Sequence, residues 1–488
     1  MYRRSQKNRD AIRQAICRNR SQRKWGCTHK RKAHVKASTV IGPTKHRHIA
    51  HSTSRRNRYS SVVNNVHRKR LALSTYMPKN LRYLLHCEQG PFHHSKLCQE
   101  KYKTTGHILI PINFSILENE RESYDTICTI FSALLFQGCK HVILDYGNCE
   151  HVDLTTQVLL DALLKDYIEF TQIVRHASRS NASVFSLNIE GKNINNERVK
   201  RLIFSVGTPD VFDLKTVNYN DVEKCSLCVH DASGVKNREK LMEQKDIDTS
   251  ELALYVVRSL SRMHKQLTPA KREALCIVIG EILINAEEHS STRYRYSIGY
   301  FQEEQIDGVH QGVFRLVIMN FGRTIYDTFK DPRCKNQQIV EKMKALSELY
   351  TQKSLFQRNS FEEETLWTLY SLQDGVTSVS PKLYRRGNGS LRFVENFFSL
   401  KGNNNADNVS YLNISSGNTR IRFDGTYGIK TKKREDESVY KVMTFNSSGS
   451  FEEKPDSKYV CASKYFFPGT IISTKILLND DDITIINS

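Results

Sequence analysis

The sequence predicts an α/β protein with a disordered basic arm at its N-terminus, and two patterns carry this prediction. Between residues 105 and 216, short apolar runs alternate with helical stretches, which is typical of a β/α domain. From residue 249 to residue 488, two helices precede several long alternating runs, so we expect helices packed on one face of a mixed sheet. The length of 488 residues leaves room for two or three folded units after the arm.

The arm, residues 1–75, holds almost all of the net charge. Residues 1–70 contain 21 Lys and Arg and a single acid, Asp10, which gives +20 of the chain's net charge of +21. Its basic runs lack the apolar period of a buried element, so we expect them to be disordered. Such an arm binds nucleic-acid phosphates with little sequence preference, and the open alternative is a solubilising tail.

The predicted β/α domain covers residues 105–216, and residues 76–104 before it are expected to be a short linker module. Apolar runs and helical spacing place the elements of the domain in an alternating order. They are a strand at 107–111, a helix at 124–138, a strand at 141–145, a helix at 158–170, a strand at 183–189 and a helix at 195–205.

The segment Asp153-Leu154-Thr155-Thr156 leads into the most apolar of these helices. It resembles the signature of STAS domains, the fold of anti-sigma-factor antagonists, except that the glycine opening the helix is absent. The resemblance implies a STAS-like domain and places a candidate phosphoacceptor at Thr155. The open alternative is that Thr155 or Thr156 caps the helix, which is the commoner use of Thr at such a position.

The polar residues 217–248 are expected to connect this domain to the last one, residues 249–488. Within the last domain, residues 251–266 have the pattern of a first helix. Thr268 and Pro269 then stand as the N-cap and first position of a second helix.

The second helix carries an acidic residue and an amide on one face. Glu281 and Asn285 are four residues apart, so both project from the same side, and an acid and an amide at that spacing can share one Mg·ATP. The run Glu281 to His289 resembles the N-box of the GHKL family of ATP-binding domains (gyrase, heat-shock chaperone, histidine kinase, MutL). The resemblance implies that Asn285 ligates Mg²⁺ and that Glu281 orients or deprotonates the nucleophile. The apolar residues predicted to face the core are Leu275, Val278, Ile279, Ile282 and Ala286.

Three further segments follow in the order that the GHKL family requires. Asn320-Phe321-Gly322 stands where the family has its adenine-recognition loop, and Gly387 and Gly389 stand in a second glycine box that approaches the phosphates. Thr470 begins a closing strand and is implied to lie near the adenine. The resemblance therefore implies a Bergerat-type α/β sandwich that binds ATP and Mg²⁺, with a lid at about 323–386 that contains helices at 336–350 and 362–372.

Two residues depart from the family's adenine loop. Asn320 replaces an aspartate, and its neutral oxygen accepts a weaker hydrogen bond from the adenine amino group than a carboxylate does. Thr324 replaces a glycine and restricts the backbone if that position needs a positive φ. Because Glu281 is intact, hydrolysis or phosphoryl transfer remains open to the site.

Cysteine usage and hydropathy bear on compartment. The 12 cysteines show no disulfide framework, which suits a reducing compartment. No run reaches the length of a membrane span and no secretory signal is evident, so we expect a cytoplasmic protein. Cys87, His93 and Cys98 offer zinc ligands within a short segment, although their spacing matches no standard zinc finger.

Together these features predict an ATP-binding regulatory protein in which a GHKL-type ATPase or Ser/Thr kinase is coupled to a STAS-like domain. The resemblance also implies a protein partner and a homodimer. Two alternatives stay open. One is a non-catalytic, nucleotide-gated protein that binds nucleic acid or acts as a scaffold. The other is a histidine-kinase-like sensor, for which His264 is the nearest phosphoacceptor candidate.

Overall fold

The fold is described from a computed structural model of the chain. The predictions for the arm, for Gly387 and Gly389, and for the start of the strand at 183–189 lie outside the residues that it describes. The described residues are 76–177, 188–212, 217–232, 235, 237–306, 309–351, 362–376, 391, 393–396, 410–433, 437 and 439–479.

The N-terminal half, residues 76–212, is built on parallel strands, as the alternating β/α order predicts. One sheet has the strand order β1-β3-β5, and a second contains the short strands β2 and β4, with parallel pairing throughout. The elements are α1 (Lys79–His86), α2 (His94–Leu97), β1 (His107–Leu109), β2 (Asn113–Phe114), α3 (Glu120–Ser132), β3 (His141–Asp145), β4 (His151–Val152), α4 (Leu154–Ala177), β5 (Asn188–Lys192), α5 (Glu197–Ser205) and α6 (Thr208–Phe212).

The C-terminal half, residues 217–479, contains a five-stranded sheet with the order β6-β7-β8-β12-β9. Every neighbouring pair in it is antiparallel, so the expected mixed sheet is wrong. The elements are β6 (Val222–Asp231), α7 (Arg238–Arg262), α8 (Pro269–His289), β7 (Tyr294–Ile306), β8 (Val309–Phe321), α9 (Ile325–Lys330), α10 (Gln337–Thr351), α11 (Glu363–Ser371), β9 (Tyr411–Phe423), β10 (Lys430–Lys433), β11 (Val439–Val442) and β12 (Val460–Asn479).

Both faces of the five-stranded sheet are covered. Helices α7 and α8 pack on one face, where Phe301, Leu316 and Ile318 belong to the same core as the helices. The N-terminal half packs on the other face, where Ile298 and Met319 join its core. Strands buried on both faces are apolar at successive positions, and β8 shows this in the run Leu316 to Met319. The prediction of helices on one face is confirmed, and the structure adds a second covering layer.

Two segments expected to be connections are integral parts of the fold. Residues 76–104 are not a linker, because Leu81, Leu84 and Phe92 are buried in the core of the N-terminal half. Residues 217–248 contain β6, which forms an edge of the five-stranded sheet, and the first turns of α7. Strand β6 is largely half-buried and polar, as suits an edge strand, and its sequence therefore lacks the apolar signal of a central strand.

The helices predicted within the lid are confirmed at α10 and α11. Together with α9 they enclose a small separate core, which contains Phe329, Met343 and Trp367. Helix α11 packs on β9, so this cluster lies beside the last strands of the sheet. None of the described helices combines the length and apolar character needed to cross a bilayer.

Candidate functional site

Helix α8 presents Glu281 and Asn285 as its sequence predicts. Thr268 caps the helix by accepting a hydrogen bond from the Lys271 N–H (3.3 Å), and Pro269 takes the first position. The Asn285 side chain is exposed, whereas that of Glu281 is half-buried. One carboxylate oxygen of Glu281, Oε2, is buried and has no hydrogen-bond partner among the described residues. The predicted core face of this helix is confirmed, since Leu275, Val278, Ile279, Ile282 and Ala286 are all buried.

The C-terminal end of α8 is attached to the loop that follows β8. The Ser290 hydroxyl donates to the Phe321 carbonyl (3.0 Å), and Ser290 forms an isolated antiparallel bridge with Gly322. The Gly322 N–H donates to the Pro468 carbonyl (3.0 Å), just before β12 continues beside β8. Three predicted segments, the N-box helix, the Asn320 loop and the closing strand, therefore meet at one end of the sheet.

Five polar residues form a row across this end of the sheet, on the face that α7 and α8 cover. Thr470 is the register partner of both Asn320 and Ser416, and the hydroxyls of Ser416 and Thr470 lie 2.9 Å apart. On β8, Asn320 shares its face with Ile318, which belongs to the helix-side core. Arg295 of β7 lies on the other side of Asn320 from Thr470, one position beyond the last β7–β8 register pair. Arg295 is in turn the register partner of His230 on β6. We call these residues the polar row; in sheet order they are His230, Arg295, Asn320, Thr470 and Ser416.

Asn320 has a buried side chain that carries a donor unpaired among the described residues. Its side chain is only 1% exposed, and its amide nitrogen Nδ2 is buried without a hydrogen-bond acceptor within the described chain. A buried unpaired donor costs about 1–3 kcal/mol, so such groups are usually satisfied by water or a ligand. The neighbouring backbone is close, because a Cβ added to Gly469 would lie 2.0 Å from the Asn320 carbonyl oxygen. A glycine is therefore required at position 469, beside the Asn320 carbonyl.

The loop after Asn320 accommodates Thr324, which stands where the GHKL pattern has a glycine. Thr324 has φ −72° and is the N-cap of α9, with a reciprocal capping box formed with Asp327. The position does not need a positive φ, so the absence of a glycine there causes no backbone strain. Tyr83 of α1 donates to the Gly322 carbonyl (2.7 Å), which connects the N-terminal half directly to this loop.

A buried ionic cluster that the sequence does not reveal adjoins the polar row. The Arg295 Nη2 lies 2.5 Å from Asp248 Oδ2, and both side chains are at most 2% exposed. Glu287 approaches Arg295 at 3.7 Å and His230 at 3.5 Å. Burial, followed by the charge of Arg295, lowers the pKa of His230 below its usual value, so its imidazole is held neutral. The cluster attaches α7 and the end of α8 to β7.

The sequence carries little signal for this cluster. Asp248 and Arg295 are 47 residues apart, and each lies in an element that carries other charges, so nothing in the sequence marks the two as partners. Only the strand alternation of β7 places Arg295 on the helix-side face, and that requires the register to be known.

Thr155 does not lie with the other predicted site residues. Its side chain is 1% exposed, and its N–H and hydroxyl bond the buried Asp153 carboxyl, which precedes α4. Asp153 is therefore the N-cap, and the alternative that Thr155 or Thr156 caps the helix is wrong. The charge of Asp153 acts on Lys475, which projects from β12 on the face opposite to Thr470. Lys475 is also five residues, or about 17 Å, along the strand from Thr470.

The candidate zinc ligands do not form a recognisable site. In the described part of the chain, no group of three or more His, Cys, Asp or Glu side chains is placed to hold a metal ion. His93 Nδ1 instead lies 2.7 Å from the Ser95 hydroxyl, and burial raises the pKa of the Cys87 thiol.

A comparison of the chain with protein-family models, with curated proteins and with solved structures finds no match.

Proposed function

We propose that the chain is a GHKL-type regulatory protein that binds Mg·ATP between α8, the polar row and the helices that follow β8. The observation that carries this proposal is the pair of buried, unpartnered polar atoms in elements that meet at one end of the sheet. Glu281 Oε2 is an acceptor without a donor, and Asn320 Nδ2 is a donor without an acceptor, among the described residues. Both atoms stand in the two segments that resemble the nucleotide-binding motifs of the family.

The residues fit Mg·ATP in complementary ways. The exposed Asn285 amide oxygen is a suitable ligand for Mg²⁺, which prefers oxygen donors and retains several waters. Asn320 presents an acceptor and a donor to the adenine edge, which carries an amino group beside a ring nitrogen. Thr470 and Ser416 support Asn320 from the neighbouring strands. When bound, Mg²⁺ would neutralise charge on the phosphates.

Glu281 is the proposed general base, and water is the proposed nucleophile from which it takes a proton. The carboxylate lies four residues before Asn285 on α8, so it can reach a nucleophile that approaches a phosphate held near Asn285. The hydroxyl of Thr155 is a poor nucleophile in the same chain, because it is buried across the sheet from this site. The activity is therefore hydrolysis or transfer to a hydroxyl of a separate protein partner. The STAS-like half serves as a covering layer through which nucleotide-dependent changes reach that partner.

A second candidate function is a nucleotide-gated binding protein without turnover. The neutral Asn320 in place of an aspartate favours weaker adenine recognition, and the arm supplies the charge for binding nucleic acid. For such a protein, ATP controls access to the lid helices and is not consumed.

The fate of the γ-phosphate of labelled ATP tests both candidates. Glu281→Gln keeps the size of the side chain and removes the base, and it should lower the release or transfer of label by about 100-fold or more while sparing ATP binding. Glu273→Gln, an exposed change on the same helix, is the matched control and should be neutral. Bound ATP with no movement of label in the unmodified chain would select the second candidate. Absence of ATP binding would reject both.

A further inference from the structure

Helix α7 has an apolar stripe on the side that faces away from the sheet. Ile247 and Leu254, 46% and 41% exposed, lie two turns apart on one line of the helix, and Met242, 51% exposed, lies about 140° round the axis from Ile247. They line a shallow groove of about 720 Å³. The acidic residues that border this groove are Glu239, Glu243, Asp246 and Glu251.

The stripe is separate from the face that α7 uses to build the fold. Leu252, Tyr255 and Val256 are buried on the opposite side against β6, β7 and α8. Apolar side chains bordered by charges of one sign are typical of a surface that binds an amphipathic segment of the opposite charge. Lys245 pairs with Asp246 (2.8 Å), and the other three acids leave the groove negative. The groove therefore fits a basic segment with apolar side chains on one face.

We infer that the occupant is the chain's own arm, at the segment Arg9 to Arg20. This segment places Ile12 and Ile16 four residues apart, and Arg9 and Arg13 have the same spacing. Four residues correspond to about one helical turn, so the sequence supplies an apolar edge beside a basic edge. Its one acid, Asp10, is outnumbered by four arginines, which are the complement of the acidic border of the groove.

Chain length and size permit this contact within one molecule. Tyr76 follows Arg20 by 56 residues, and a random coil of that length spans roughly 40 Å on average. The stripe from Glu239 to Leu254 covers 16 residues of helix, about 24 Å, and a segment of 12 helical residues covers about 18 Å. Tethering also raises the effective concentration of the segment to the millimolar range. Arginines held by α7 cannot contact phosphates at the same time, so the groove and polyanions compete for the same arm.

The full chain supplies a cross-linking test, because native Cys17 lies inside the proposed segment. Ser250→Cys places a second thiol in the middle of the groove with little change in size, since Ser250 is exposed there. Ser457→Cys, in an exposed turn before β12, is the matched control, and the exposed native Cys98 is an internal reference. A short bismaleimide reagent is applied to dilute protein, and products of monomer mass are mapped by mass spectrometry.

The expected result is that Cys17 is joined to the Ser250→Cys thiol at least about fivefold more often than to the Ser457→Cys thiol. Glu239→Lys with Glu243→Lys should remove that excess, whereas Glu452→Lys with Glu453→Lys, an exposed pair elsewhere, should leave it unchanged. Equal yields for the two thiols would overturn the inference. A dimeric product that joins the Ser250→Cys thiols of two chains would assign the groove to a second copy and would also overturn it. Neither outcome depends on nucleotide binding.

Discussion

The pair of Arg295 and Asp248 gives the sharpest prediction about how the site is held. Both side chains are at most 2% exposed, and Arg295 also faces Glu287. Arg295→Met leaves two carboxylates near the polar row without their cation, and burial, the largest cause of the lowered His230 pKa, still opposes protonation of that imidazole. Breaking a buried pair by removing one partner costs about 3–5 kcal/mol. We therefore expect Arg295→Met and Asp248→Leu each to lower the free energy of unfolding by about that amount.

The double variant distinguishes the loss of the ion pair from the general cost of changing a buried side chain. Replacing both members of a buried ion pair by apolar residues is often close to neutral, so Arg295→Met with Asp248→Leu should recover about 2 kcal/mol or more relative to the sum of the single changes. Arg333→Met is the control, because Arg333 pairs with Asp331 (2.9 Å) at 79% exposure, and solvent screening leaves such an exposed pair with little effect on stability.

Urea unfolding followed by tryptophan fluorescence measures these values in one buffer. Trp367 is buried in the small core of α9 to α11, so its emission reports the C-terminal half once Trp25, the other tryptophan of the chain, is replaced by Phe in every variant. An m-value of about 3 kcal/mol/M would convert the single losses into midpoint shifts of about 1 M or more. Strictly additive effects in the double variant would refute the claim that the two residues form one electrostatic unit.

Three further predictions concern the core and the nucleotide. Burial raises the pKa of Asp166 to about 8. Between about pH 4 and pH 8 the folded chain therefore retains a proton that the unfolded chain has lost, and its stability should fall by about 1.4 kcal/mol per pH unit as the pH rises. Asp166→Asn should flatten this slope in urea titrations at pH 6 and pH 8, whereas a slope that persists would exclude Asp166 as its source. Asn320→Asp supplies a charged acceptor for the adenine amino group and should tighten ATP binding about fivefold by calorimetry, and unchanged or weaker binding would count against its contact with adenine. Gly469→Ala should weaken ATP binding at least tenfold more than Gly425→Ala. Both glycines have a positive φ, but only at Gly469 does the added Cβ meet the Asn320 carbonyl, which places about 1–3 kcal/mol of strain at the site. Equal effects of the two substitutions would contradict this role of Gly469.

The sequence is sufficient to predict elements whose signal is local. The cap at Thr268, the face of α8 that carries Glu281 and Asn285, and the helices of the lid depend on spacing within one helix, and the structure confirms them. The convergence of Asn320 and Thr470 follows from a motif order, and the β8–β12 register places them opposite each other. Whether these residues hold ATP stays a prediction.

Non-local features lie beyond a single sequence. Strand β8 is apolar on both faces, which indicates two covering layers, but nothing in its residues identifies the N-terminal half as the second layer. Strand β6 has the sequence character of a connection because an edge strand needs few apolar residues. The cluster of Arg295 and Asp248 depends on the register of β7 and on the docking of α7, neither of which has a local signature.

Photolabelling with 8-azido-ATP in the presence of Mg²⁺ tests the central claim most directly, because it reports both binding and location. After irradiation and digestion, the account predicts an adduct confined to Asn320–Thr324 or Phe467–Ser473, the segments beside Asn320 and Thr470, and competed by unlabelled Mg·ATP. An adduct confined to the arm, or no competed adduct at millimolar nucleotide, would contradict a nucleotide site at this end of the sheet.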